Sequence, residues 1–554
     1  MRFKYGENLS NGIYDSEFLH KKKVLILVPH EDDELITVGA ILPILKKNMC
    51  DITVVYSTNG DYHGIEAGKI RLKEAIDYAM TVGIKRENII FMGFGDYGES
   101  SPHLYNCSGI SCSPAGKKET YALDSHRTYS AHKTGKEAEY TRDNFKQILK
   151  DIMREKKADI IFSIDCDIHS DHIALSLMVE DVLSELIKEE YYRPILYKAF
   201  AHDFLWMGLE DFYSLNLKEC KRMEENPRRT YADHFLKAYY PWEQRVRFPV
   251  YGEYLSCFAF HNQFRSLMKI YASQHVKYHF PRIMNSDQVF FKRRTDNIIF
   301  LAEVEASSGD TSCFYTMKMF DSEDVNKKNN LLEESKLFWK PECGDERRRL
   351  KFRFENCDIS DIVIYTGFHS DGKHMVKLHI GNIDKKVELL PYGKPTQLHF
   401  TQVVNCDELI MQFDDSEVEI IKVEAFEECD ERINYIKIMS QNNFVYRYIT
   451  TENQMPKLQL YVNRNNVSSV IESNVAEYKW YEVGEEKKEI INVSEFTLKK
   501  KVTRIRVEGS EDKALFDEIE IVNADVLEKI TKVLFGKIEY WINKLRYKVI
   551  GHFS

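Results

Sequence analysis

At 554 residues the chain is too long for one ordinary domain and should divide into about two to four folding units. An apolar fraction of 43% supplies material for real cores. A net charge of -10 is mild for this length and lacks the basic excess of a general nucleic-acid binder.

In chain order, the first half alternates strands and helices. Val24 to Val28 (VLILV) is a continuous apolar run, as expected for a strand buried on both faces of a parallel sheet. Helical spacing follows over Leu35 to Leu45, just after Asp32 and Asp33, whose charge suits the positive end of a helix. A second strand is expected at Ile52 to Tyr56, a turn at Asn59-Gly60-Asp61, a helix over Ile65 to Met80 and a third strand at Ile89 to Met92. Residues 98 to 140 are rich in Ser, Gly, His and Lys without clear periodicity, and read as a long loop over the strand ends. Ile160 to Ile164 is a further strand and His172 to Ile187 a helix; the helix Phe264 to Ala272 and the short strand Gln288 to Phe291 come later. The alternation predicts a Rossmann-like, doubly wound, mostly parallel α/β sheet with right-handed crossovers. Functional residues in such sheets collect at the carboxyl ends of strands, where His30, Thr58 to Asp61 and His169 to His172 all lie.

Past Arg294, short strand-like runs take over: Leu350 to Phe354, Ile362 to Thr366, Val376 to Ile380, Leu409 to Phe413 and Val418 to Val423. A second set follows at Tyr435 to Ile438, Phe444 to Tyr448, Leu458 to Val462, Tyr478 to Tyr481, Ile505 to Val507 and Ile519 to Val522. Regular short strands with polar turns predict two all-β sandwich modules. The last segment, Val526 to Ile550, has apolar residues at three-four spacing (Leu527, Ile530, Leu534, Ile538, Trp541, Leu545) among mostly basic partners. The expected organisation is an α/β domain over 1–295, sandwiches over 296–428 and 429–525, and a basic amphipathic helix over 526–554.

The strongest chemical signal is Pro29-His30-Glu31-Asp32-Asp33-Glu34 at a strand's end. Imidazole and carboxylate suit zinc, and a catalytic zinc needs three protein ligands with one position open for water. A second carboxylate beside the metal can take the proton from that water. The segment is not the HExxH helix of metalloproteases, because position 34 is Glu. Alone it would read as a solvated acidic helix cap. The second constellation, Asp167-Ile168-His169-Ser170-Asp171-His172, follows a strand and opens a helix, so its two histidines can face one cleft. Each motif alone has a bland reading, and their pairing at two strand ends makes a site.

With these motifs in order, residues 23 to 295 resemble the LmbE / PIG-L family of zinc-dependent N-acetylglucosaminyl deacetylases. The family's opening A/P-H-P-D-D-E appears as PHEDDE, and its H-P-D-H as His169-Ser170-Asp171-His172. Thr58 to Asp61, Arg71 with Glu74, Phe91 to Asp96 (FMGFGD) and Ser273-Gln274 support the match. The resemblance implies that His30, Asp33 and His172 ligate Zn2+ or another divalent metal, and that Asp32 is the general base. It implies that His169 polarises the acetyl carbonyl or stabilises the oxyanion, and that Arg71, Asp96 and Asp171 contact the sugar or its substituent. Amide hydrolysis needs an activated water, a Lewis acid on the carbonyl oxygen and an acid for the departing amine; Asp32, once protonated by water, can return that proton. Two departures stand out: Glu31 replaces the usual proline, adding negative charge near the metal, and Ser170 replaces another. Asp167 stands where some members place an aromatic hydroxyl, which bears on the oxyanion's surroundings.

In the first β module, Glu305-Ala306-Ser307-Ser308-Gly309 and Phe338-Trp339-Lys340-Pro341 weakly resemble discoidin-like or galactose-binding sandwiches. Sugar binding on exposed aromatics and a structural or oligomerising role are both open. The tail helix reads either as packed on a sandwich or, slightly preferred, as lying on an anionic membrane with Tyr540 and Trp541 near the headgroups. The opening segment lacks the apolar core and cleavage site of a secretory signal, and no stretch has the unbroken apolar length of a membrane span. The 11 scattered cysteines suit a reducing compartment. A cytoplasmic protein, peripheral at the inner face of the membrane, is therefore expected. The expected substrate is an N-acetylated sugar in a glycoconjugate or cell-surface polysaccharide precursor, with a lipid-linked acceptor fitting the tail, and no nucleic acid. The alternatives are an amide hydrolase of a small glycoside, which would need neither β module nor tail, and a non-catalytic carbohydrate-binding protein, against which the intact His30, Asp32, Asp33 and His172 argue.

Overall fold

The computed structural model describes residues 19–98, 103–167, 169–201, 287–326, 335–368 and 372–427, with short pieces between 206 and 283, residues 331–332 and 370, and the strand backbones between 434 and 523. Apolar runs form the middle of a seven-stranded sheet. Its first strands are β1 (Lys23–Val28), β2 (Asp51–Thr58), β3 (Ile89–Phe94), β4 (Ile160–Ile164) and β5 (Ile195–Ala199). After a two-stranded ladder of β6 (Trp206–Met207) and β7 (Lys221–Arg222), β8 (Val246–Pro249) and β9 (Asp287–Arg293) complete it. The order is β3-β2-β1-β4-β5-β9-β8. Pairing is parallel from β3 through β5 and antiparallel at β9 and β8. All five residues of β4 are buried, as an interior parallel strand requires. The chain leaves β1 toward β2 on one side and reaches β4 on the other. The gap between the ends of β1 and β4 is therefore the switch point at which such sheets bind ligands.

Among the described residues the α-helices are α1 (Asp33–Thr37), α2 (Leu42–Lys47), α3 (Ile65–Thr81), α4 (His103–Asn106), α5 (Tyr129–Thr134), α6 (Arg142–Lys156), α7 (Ser170–Glu190) and α8 (Gln263–Met268). The single helix expected over Leu35 to Leu45 is broken into α1, a 3-10 turn at Gly39–Ile41, and α2. Pro43 starts α2 in its first turn, where the missing N–H costs nothing. Gly39 sits where a Cβ would stand 2.8 Å from the Tyr78 hydroxyl. The stretch expected as loop, 98 to 140, contains α4 and α5. Helix α6 was not anticipated, although its Thr141 cap and the three-four spacing of Phe145, Ile148, Leu149, Ile152 and Met153 are legible signals. Helix α7 is buried on nearly all sides, because α6 and the sheet cover part of it and the β module covers the rest.

A six-stranded antiparallel sheet follows. Leu350 to Phe354 and Ile362 to Thr366, expected as separate strands, are the two ends of one strand, Arg349–Thr366. It runs through register irregularities between Arg353 and Cys357 and between Ile359 and Asp361, and the polar residues at these bulges break the alternation seen in sequence. Leu409 to Phe413 is likewise the end of Pro395–Phe413. Trp339 is fully buried, and its indole N–H donates to Ser308 O at 2.7 Å. Ser307 and Ser308 both donate to Asp345. Trp339 of the FWKP segment thus belongs to the core of this module, with Ala306 of the EASSG segment packed against it, and Trp339 is not an exposed sugar platform. Beyond it the backbone forms a four-stranded and a five-stranded sheet between 434 and 523. The tail helix expected over Val526 to Ile550 lies outside the described residues. Among the described residues no helix is long and apolar enough to cross a membrane.

Candidate active site

Four loops meet at the carboxyl ends of β1 to β4. The turn after β2 is a scaffold: the Thr58 hydroxyl donates to Pro29 O at 2.8 Å, and the Asn59 amide donates to Gly93 O and Tyr121 O. Asp61 accepts the Asp96 N–H at 2.8 Å and the Tyr121 hydroxyl at 2.8 Å, so the loops after β2 and β3 are tied together. Late in the domain, Ser273 binds Glu74 of α3 through both its N–H and its hydroxyl. The Tyr271 hydroxyl donates to the buried Glu34.

At the centre, His30 Nδ1 lies 3.1 Å from Asp33 Oδ2 and 3.1 Å from His172 Nε2, and His172 Nε2 lies 3.2 Å from Asp33 Oδ2. Each ring is oriented from its far side: His172 Nδ1 is 2.7 Å from Asp167 Oδ2, and His30 Nε2 is 3.2 Å from Asp171 Oδ2. If these carboxylates accept the ring protons, the two facing nitrogens present lone pairs toward the Asp33 carboxylate, an arrangement that a bound metal cation satisfies, as a further ring proton does in its absence. Donors bonded to one tetrahedral ion stand about 3.3–3.6 Å apart, close to the spacing here. Asp33 Oδ1 is buried with no hydrogen-bond partner among the described residues. The residues therefore fit a divalent metal. His169 offers a nitrogen within 4.8 Å of those of His30 and His172. Its Nδ1 accepts the Asp171 N–H at 3.3 Å, which leaves its ring hydrogen on Nε2.

Asp32 takes φ 152°, a conformation that L residues rarely adopt. Its carboxyl is pushed up to about 7, by burial first and then by the neighbouring charge of Asp33. Burial alone would lower His172, but Asp167 and Asp33 push it up to about 9. A divalent ion at the three donors would displace the ring proton and invert this balance.

Arg71 of α3 lies among carboxylates: Nε is 3.4 Å from Glu31 Oε2, NH1 is 3.8 Å from Asp96 Oδ2 and NH2 is 3.9 Å from Asp32 Oδ1. Glu31 is wholly buried and turned toward Arg71 beneath Gly60, where a Cβ would stand 2.4 Å from both groups. Asp171, expected against the sugar, is also buried; its Oδ2 faces His30 and accepts the Tyr97 N–H at 3.0 Å. Asp96 Oδ2 is 3.7 Å from His30 Nε2, and its Oδ1 accepts the Gly98 N–H. Asp167, noted in the sequence for what it replaces, orients His172. A carboxylate at a strand's end, five residues before a helical histidine, was the signal available for it.

Residues 25–183, which carry every one of these groups except Tyr271 and Ser273, match the PIG-L family model, described as GlcNAc-PI de-N-acetylase. This part of the α/β domain is of the PIG-L/LmbE type. Among curated proteins the chain is similar to one named "Probable N-acetylglucosaminyl-phosphatidylinositol de-N-acetylase" from Dictyostelium discoideum, at 36% identity over 85 residues. That match is 15% of this chain and 32% of the relative, so it spans under a third of the relative's length. Among solved structures, the N,N'-diacetylchitobiose deacetylase from Pyrococcus horikoshii aligns at 18% identity, covering 35% of this chain and 68% of that one, with a TM-score of 0.23. A deacetylase of the teicoplanin biosynthesis pathway aligns at 13% identity, covering 49% and 97%, with a TM-score of 0.29.

Proposed function

We propose that the α/β domain hydrolyses the N-acetyl group of an N-acetylhexosamine unit in a glycoconjugate or polysaccharide precursor, releasing acetate, with one zinc ion held by His30, Asp33 and His172. The observation that carries this reading is the convergence of two carboxylate-oriented imidazoles on Asp33, with mutual distances of 3.1–3.2 Å. The donor set, two nitrogens and one oxygen, is that of catalytic zinc sites, which keep a fourth position open. The ion supplies Lewis acidity for water and for the acetyl carbonyl.

The remaining chemistry belongs to side chains. Asp32, next in sequence to a ligand and held in a rare backbone conformation, takes the proton from water and returns it to the departing amine. His169, with its hydrogen on Nε2, donates to the oxygen that gains charge as the amide carbon becomes tetrahedral. Asp167 and Asp171 hold the ligand rings, and Arg71 with Asp96 lines the side on which the sugar enters.

Acetate release from a panel of nucleotide-, lipid- and polymer-linked N-acetylhexosamines tests the reading. Asp32→Asn should keep about one equivalent of metal while kcat falls by about 10²–10⁴-fold, and His30→Ala should lose the metal. Full turnover in Asp32→Asn would remove Asp32 as base. Metal-free wild-type protein that still binds sugar would replace the enzyme by a binding protein.

A further inference from the structure

The β module reaches the α/β domain through a strap without strand structure, residues 312–324, laid across α4 and α7. Met317, Met319 and Phe320 are buried in the same apolar cluster as Tyr97, Leu104 and Tyr105 of the loop after β3. In the middle of the strap, Lys318 Nζ lies 2.8 Å from the Tyr105 hydroxyl, 3.0 Å from Asp181 Oδ1 of α7 and 2.7 Å from Asp321 Oδ2. The Tyr105 hydroxyl itself donates to Asp181 Oδ2 at 2.7 Å. Ser322 adds a hydrogen bond to Asn106 at 2.6 Å, and the Met317 N–H donates to Ser184 of α7 at 2.8 Å.

Helix α4 has only four residues and cannot hold itself in place. Yet the loop that contains it is continuous with the site. The Tyr97 ring stacks on His103 at 4.8 Å, its hydroxyl donates to Ser111 at 2.7 Å, and its N–H is one of the two groups on the Asp171 oxygen that faces His30. Asp96, one residue earlier, faces both Arg71 and His30.

We infer that the β module is a working part of the catalytic unit: through Lys318 its strap clamps α4 against α7 and so fixes the loop that carries Asp96 and Tyr97 at the rim of the site. Lys318 is a positioning residue; it touches neither metal donors nor the sugar side of Arg71. The ammonium between Asp181 and Asp321 neutralises two carboxylates that would otherwise repel each other across the contact. Once it is removed, the strap and α4 separate where they now meet. A loop displaced by about 1 Å can cost up to about 10²-fold in rate without any catalytic group being changed.

The consequence for catalysis rests on the deacetylase reading; the clamp itself does not, and the two are measured separately. In Lys318→Met, amide hydrogen exchange should quicken in peptides covering 103–113 while β1 and β4 keep wild-type protection, and bound metal should be unchanged. On a substrate that the wild type deacetylates, KM should rise about tenfold, and Lys318→Arg should recover part of the loss. A merely structural lysine would lower the active fraction and the melting temperature with KM unchanged. Wild-type exchange in 103–113 together with wild-type KM would overturn the inference. Should Lys318→Met fail to fold, Ser322→Ala, which removes only the bond to Asn106, decides in the same way: faster exchange in 103–113 supports the clamp and unchanged exchange overturns it. If the wild type releases acetate from no sugar tested, the functional reading falls, and exchange still decides the clamp.

Discussion

Asp32 shows most clearly how a single residue trades stability for chemistry. Its φ of 152° belongs to the region where side chains meet the backbone, and its carboxyl lies in a buried setting beside the Asp33 carboxylate. Such conformations cost about 1–3 kcal/mol and persist where the surroundings enforce them. The N–H of Asp33 and that of Asp32 both point back at His30 O, and the Ile36 N–H binds Asp32 O, so the strained residue is held from both sides. Asp32→Gly should therefore stabilise the metal-free protein by about 1 kcal/mol while abolishing acetate release. Equilibrium denaturation under chelating conditions is the check, and a lower midpoint for the glycine variant would show that the conformation carries no strain.

Among the elements, β4, α7 and β5 are bolted together by charge as well as by apolar contact. Lys198 of β5 lies 2.5 Å from Glu180 of α7 and 3.3 Å from Asp165 at the end of β4, and all three are buried. Lys198→Met would strip Glu180 of this cation and leave Asp165 the more distant Arg293 at 3.7 Å, at a cost of about 3–5 kcal/mol. Urea titration of the variant measures this, and a loss below about 1 kcal/mol would mean that the carboxylates take up protons instead. These elements also show what the sequence discloses. Strands β1 and β4 are legible because burial on both faces writes a continuous apolar run, and the two site motifs are legible because each is local. Helix α7 starts at Ser170, two residues before its periodicity predicts, because the His169 ring caps it by accepting the Asp171 N–H. The long strand Arg349–Thr366 reads as two because its bulges interrupt the period. Lys318 gives little local sign, since only Asp321 is near it in sequence, while Tyr105 and Asp181 lie on α4 and α7, far along the chain from the strap.

At the scale of the whole molecule, the contact between the two sheets has its own pH dependence. Burial would raise the Asp321 carboxyl, but Lys318 outweighs it and holds the group below its ordinary value of 3.8. Such a carboxylate contributes stability that is fully present above its unfolded value and is lost as pH falls through its folded one. Tyr105 and Asp181 face the same lysine, Arg142 lies over the Tyr105 ring and pairs with Asp181, and Asp324 nearby shifts the other way, raised by burial. The wild type should therefore melt above Asp321→Asn at neutral pH, with the gap closing as pH falls below about 4. Calorimetry across that range is the check, and a gap independent of pH would remove the ion pair from the account. The apolar cluster that runs from Leu25 and Leu27 through α7 to Met317, Phe320 and Ile421 has a consequence for ancestry. A seam that can be cut and rejoined is what lets modules be traded between genes, and here residues from both sides of the join lie in one core. A recombination that brought in a new partner sheet would also have to bring in a matching face for α7.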